Sequence, residues 1–137
     1  MFDFDITLPK QYTLESSFTT DFLKEFKKTW WAFKISDLAR TIKPFDWFWI
    51  NKDWAFFCEV KIITWDYFDI NQLRNNQFTS LEKIHLLAEK YDFKNVHPIV
   101  LVYSFIHKDY KAIPFEFLLN RYNRWINKIK LFNHNDH

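Results

Sequence analysis

The chain of 137 residues contains no glycine, where average usage would place about ten. A glycine-rich phosphate loop, a dinucleotide fingerprint, a nucleophile elbow and a calcium-loop turn all depend on glycine's backbone freedom. Each is therefore excluded. The single cysteine, Cys58, excludes an internal disulfide framework and a multi-cysteine zinc site, and a reducing, cytoplasmic setting is expected. No apolar run approaches the ~20 residues of a membrane span. The opening Met1-Phe2-Asp3-Phe4-Asp5 is acidic, unlike a secretion signal, so no membrane partner is expected. The net charge of +2 is too small to announce nucleic acid by itself. Hydrophobic residues make up 48% of the chain and aromatics 22%. That is enough for a sizeable core, and the length predicts one domain over 1–137.

The apolar pattern predicts an α/β fold. Positions 1–10 read as an extended arm or edge strand. Thr13 is a plausible N-cap for a helix whose Leu14, Phe18, Phe22 and Phe26 recur at helical spacing. The aromatic, β-prone stretch 29–35 reads as a strand, and 45–50 and 54–63 form a hairpin joined at 51–53. The run 54–63 is apolar on both faces, as a buried central strand should be. A second helix is predicted over 70–91, with Leu73, Gln77, Leu81, Ile84 and Ala88 on one stripe. Another central strand follows over 98–106 and a short one over 111–113. Pro114 is suited to opening a last helix, predicted over 114–131. The order α-β-β-β-α-β-(β)-α predicts helices around a central mixed sheet.

Glu59 and Lys61 stand two apart on the central strand and so project from one face. Charge on a buried strand face is expensive. The bland reading is a structural ion pair. Asp46 shifts the balance, because the hairpin brings it alongside Glu59. Paired carboxylates repel unless a cation lies between them, and an oxygen-only set suits Mg²⁺. Glu15 shares its helix face with Phe18, Phe22 and Phe26. It is either a first-turn charge favoured by the helix dipole or a further acidic ligand. Gln77 interrupts the apolar stripe of the second helix. It either makes backbone hydrogen bonds or assists a phosphate. Cys58 alternates with Glu59 and is expected on the opposite face as a small core residue. His85 and His97 are expected to be structural.

Glu15 on a first helix, Pro44-Phe45-Asp46 opening a strand and Glu59-Val60-Lys61 on the next resemble the PD-(D/E)XK nuclease superfamily. More closely, the chain resembles the RecU-type Holliday junction resolvases. The stretch Phe68-Asp69-Ile70-Asn71-Gln72-Leu73-Arg74-Asn75-Asn76-Gln77-Phe78 is similar to that family's segment after its E-x-K strand, and Ile113-Pro114-Phe115 with Leu118 is also similar. The resemblance implies a restriction-endonuclease-like core and a Mg²⁺-dependent endodeoxyribonuclease, with Mn²⁺ as a substitute. It implies Asp46, Glu59 and the Val60 carbonyl as metal ligands and Glu15 completing the acidic set. Lys61 would orient the attacking water, and Gln77 would act near the scissile phosphate. The partners implied are DNA, as four-way junctions or other branched forms, and a second copy in a homodimer. The stalk of RecU-type resolvases has no counterpart, since only 36–43 is available for it.

Phosphate contacts would come from Lys34, Arg40, Lys43 and Arg74, with Asn75 beside them. Arg121, Arg124 and Lys128 would form a basic stripe on the last helix, or an ordinary solvated face. Two alternatives remain: a repair, restriction or phage endonuclease of the same superfamily, and a non-catalytic DNA-binding domain.

Overall fold

Every second residue of the longest apolar strand faces the same layer, and this sorts the core into two halves. A computed structural model describes residues 1–29, 33–34, 46–50 and 53–133. The strands are β1 (Phe33–Lys34), β2 (Trp47–Ile50), β3 (Ala55–Ile63), β4 (Tyr67–Asp69), β5 (Val96–Ser104), β6 (Asp109–Pro114) and β7 (Lys128–Lys130). The helices are α1 (Glu15–Thr29), α2 (Asn75–Lys90) and α3 (Phe115–Asn123), with a 3₁₀ turn over Ile70–Gln72. The main sheet runs β1-β2-β3-β5-β6, and β4 pairs with β7 in a small second sheet. β1, β2 and β3 are antiparallel neighbours, β3 and β5 are parallel, and β5 and β6 antiparallel. The central sheet is thus mixed, in an α/β fold. The parallel step requires a crossover, which α2 supplies.

Phe56, Cys58 and Val60 of β3 face α1, where Phe18, Phe22 and Phe26 are fully buried. This layer is rich in aromatic rings. Phe4 of the N-terminal arm meets Phe22, Phe26 and Phe56 edge to face, and Trp47 packs on Phe22 and Phe26. Each such ring contributes roughly 1.5–3 kcal/mol by leaving water. Phe57 and Ile63 face the other layer, with Leu73, Leu81, Phe115 and Leu118 from the α2 and α3 side. Glu59 and Lys61 alternate with Val60 and so face this second layer.

The predicted boundaries need correction in four places. α1 begins at Glu15 rather than near Thr13, and Leu14 is 62% exposed, outside the buried stripe. The second helix starts at Asn75, after the 3₁₀ turn. The last helix ends at Asn123, and Lys128 lies in β7, so Arg121, Arg124 and Lys128 are not a helical stripe. The β4–β7 pair was not expected. Of the predicted strand 29–35, Thr29 instead ends α1 and Phe33–Lys34 form β1, while 30–32, 35 and residues 51–52 of the hairpin turn lie outside the described residues. Among the described residues no helix is long and apolar enough to cross a membrane.

Candidate active site

The described register of β2 on β3 ends at Trp47 opposite Cys58. Glu59, Val60 and Lys61 lie just beyond it. The Cys58 carbonyl accepts the Asp46 amide at 2.9 Å, so Cys58 turns its backbone groups toward β2. Val60, two residues on, must do the same. Its N–H donates to Asp46 Oδ2 at 2.7 Å. A side-chain carboxylate therefore takes the place of a ladder carbonyl. This bond fixes Asp46 beside β3, just ahead of β2, and the Val60 carbonyl points to that same side of the strand.

Glu59 is fully buried, and among the described residues neither of its carboxyl oxygens has a hydrogen-bond partner of good geometry. Its carboxyl is pushed up to about 9. Burial is the largest cause. The facing Asp46 carboxyl adds to it by repulsion and by favouring the protonated form, and the Lys61 ammonium opposes it. A buried carboxylate is costly, and Glu59 avoids that cost by holding its proton beside Asp46.

Lys61 is 8% exposed. Its Nζ lies 3.9 Å from Glu15 Oε1, although α1 covers the opposite face of the sheet. Glu15 reaches it from the first turn of the helix. The Glu15 carboxyl is raised by partial burial, lowered by Lys61, raised by Asp46 and lowered by Arg74. Those influences place Arg74, at the start of α2, within electrostatic reach of the cluster. Beside Glu15 opens a groove of ≈ 880 Å³ lined by Thr13, Leu14, Ser16, Ile62, Ile63, Thr64 and Phe105.

Glu15, Asp46, Glu59 and Lys61, read from the sequence as one set, are thus brought together. Gln77 is not one of them. Its Oε1 accepts the Arg74 backbone N–H at 3.0 Å and caps α2, the backbone role that was the plainer of its two readings. Asn75 is the exposed first residue of α2. Arg40 and Lys43 lie outside the described residues, as does the side chain of Lys34. Cys58 faces the α1 layer, and burial holds its thiol well above the usual range, so it is inert as a nucleophile.

Asp46, Glu59 and the Val60 carbonyl are the oxygens here that a hard cation could take. Among the described residues no group of three or more His, Cys, Asp and Glu side chains is arranged to hold a metal ion. A Mg²⁺ site commonly uses only one or two carboxylates and keeps several waters.

One buried polar pair escaped the sequence. His107 Nε2 and Asp66 Oδ1 are 2.5 Å apart, with both side chains almost fully buried. The two residues are 41 positions apart, and no local pattern marks them. No family model, curated protein or solved structure matches this chain.

Proposed function

We propose that this chain is a divalent-cation-dependent endodeoxyribonuclease with a restriction-endonuclease-like core. One observation carries the reading: a fully buried Glu59 carboxyl facing a second acid, Asp46, with Lys61 on the same strand face. A structural ion pair would place one acid against one base, whereas here two acids and the Val60 carbonyl lie beside one cationic side chain. The antiparallel β1-β2-β3 run, followed through α2 by the parallel β5, supports the reading, since it is the strand order expected of that core.

Asp46 and Glu59, with the Val60 carbonyl, would hold Mg²⁺ or Mn²⁺. When bound, such an ion makes water nucleophilic near neutral pH and offsets charge on a phosphate oxygen. The chain's own groups do the rest. The Val60 N–H orients Asp46. Glu59 would offer an oxygen only in its deprotonated form, its proton passing to solvent. Lys61, held by Glu15, directs its ammonium at the water and at the charge that grows on the phosphate. Water's oxygen forms a bond to phosphorus and one ester P–O bond breaks, leaving a phosphate monoester and a hydroxyl.

A four-way junction cut by a homodimer is the specific form proposed, because a two-fold dimer suits paired scissile strands. The test incubates the protein with Mg²⁺ and labelled four-way junction, linear duplex and single strand, beside Asp46→Ala and Lys61→Ala. Paired junction nicks that vanish in both variants support it. Equal cutting of linear duplex sinks the junction specificity and leaves the nuclease. Binding with no cutting under Mg²⁺ or Mn²⁺ identifies a non-catalytic DNA-binding domain instead.

A further inference from the structure

α3 ends without the residue that such an ending favours. The Ile126 N–H donates to the Arg121 carbonyl at 2.9 Å and the Trp125 N–H to Tyr122 at 3.0 Å. This is the Schellman pattern, whose left-handed position normally holds glycine or asparagine. Here it holds Trp125, at φ 63°. A bulky residue in that conformation is strained, and Trp125 recovers nothing by packing, since it is 92% exposed. Strain kept at a surface position without a packing return points to use.

The surroundings say what the use is. Positions 117–133 contain Arg121, Arg124, Lys128 and Lys130 and no acidic residue. Trp125 lines a hollow of ≈ 360 Å³ with Asn71, Tyr122, Asn123 and Asn127. A second hollow shares Asn71 and Tyr122 and continues to Asn75, the neighbour of Arg74. A path of aromatic, amide and cationic groups thus leads from the start of α2 to Trp125. Its floor is anchored, because the Tyr122 ring packs on Phe78 at 4.8 Å.

We propose that Trp125 is a stacking platform for an unpaired nucleobase of a DNA strand, whose phosphates lie along the cations of 121–130 and whose path leads toward Arg74. An exposed indole offers a π-face to any base, the amides offer hydrogen bonds to base edges, and the cations track the backbone. The inference rests on the nuclease reading only in taking nucleic acid as the ligand, and it makes single-stranded or branched DNA the preferred form.

The test measures binding in EDTA, where cleavage plays no part. A fluorescein-labelled thymidine 12-mer and a duplex of the same length are titrated with the full chain by anisotropy. Trp125→Ala is expected to weaken single-strand binding about tenfold or more and duplex binding far less, and Trp125→Phe to restore most of the loss. Trp125→Gly is expected to weaken single-strand binding equally while raising the melting temperature by a few degrees, which rules out misfolding as the cause. Unchanged single-strand binding by Trp125→Ala overturns the proposal. So does a dimer that Trp125→Ala dissociates in sedimentation while single-strand binding stays the same, since the indole would then serve self-association. Loss of binding in Trp125→Ala beside a wild type that never cuts with Mg²⁺ would leave this inference standing and remove the nuclease.

Discussion

Among the described residues two polar assemblies are buried, and they are built in opposite ways. Asp66 and His107 meet directly, and both belong to a knot of turns. The Asp66 carbonyl accepts the Leu131 and Phe132 amides, and the His107 ring stacks on Phe132 at 4.9 Å. Ser104 adds its hydroxyl to the Trp65 carbonyl at 2.7 Å. The turn after β3, the turn after β5 and the C-terminal segment are tied at one point, and the polar groups serve each other. At Glu59 two acids face each other, and the lysine is held by a third acid at longer range. Burial alone therefore does not identify a functional group. What separates the two is the chemistry of the partners: Asp66 and His107 form a complementary acid–base pair, whereas at Glu59 two acids face each other.

The contrast breaks most sharply by mutation. Lys61→Ala and Asp46→Ala are expected to lower phosphodiester cleavage on the order of a hundredfold to a thousandfold, the scale of losing one electrostatic group at a reacting centre. Their melting temperatures should move far less, as single-turnover assays beside calorimetry will show. His107→Ala should do the reverse. Breaking one partner out of a buried polar pair costs about 3 kcal/mol, read from urea unfolding, while cleavage per folded molecule stays within about twofold.

The third effect is smaller and depends on pH. With Glu59 raised to about 9 from 4.5, the folded protein holds a proton that the unfolded chain has released between those values. The stability this supplies is complete below about 4.5 and is lost as pH rises through about 9. Cation-free wild type should therefore lose stability relative to Glu59→Gln across that window. Urea unfolding at several pH values checks it, and parallel curves for the two proteins would contradict it. The smallest effect lies away from both assemblies: Trp125→Gly should add about 1 kcal/mol by relieving a left-handed bulky residue.

The strands were legible because apolar runs of the right length leave little choice. β3 and β5 carry nearly continuous hydrophobic residues, and Glu59-Val60-Lys61 stands out against them. Asp46 followed from hairpin geometry. The helix ends were not legible, and the reason lies in the missing glycines. A glycine after the last turn is the usual stop signal. Here Asp92 closes α2 and Trp125 closes α3 from left-handed positions. Trp125 even continues the apolar spacing of Leu118 and Tyr122, so the predicted helix ran on through β7. Three-residue strands such as β4 and β7 carry no period to read. Gln77 looked like an interrupted stripe because a capping side chain and a core position share the same spacing. The Asp66–His107 pair is set by tertiary folding alone.

The central claim is that Glu59 is left unsatisfied so that a divalent cation can take it. Calorimetric titration of the protein with Mn²⁺ at neutral pH, repeated in two buffers of different ionisation heat, measures it directly. The account predicts binding that releases about one proton, from Glu59, and that is lost in Asp46→Asn and proceeds without proton release, or not at all, in Glu59→Gln. Mn²⁺ binding with no proton released by wild type, or an unchanged isotherm in Asp46→Asn, would contradict it.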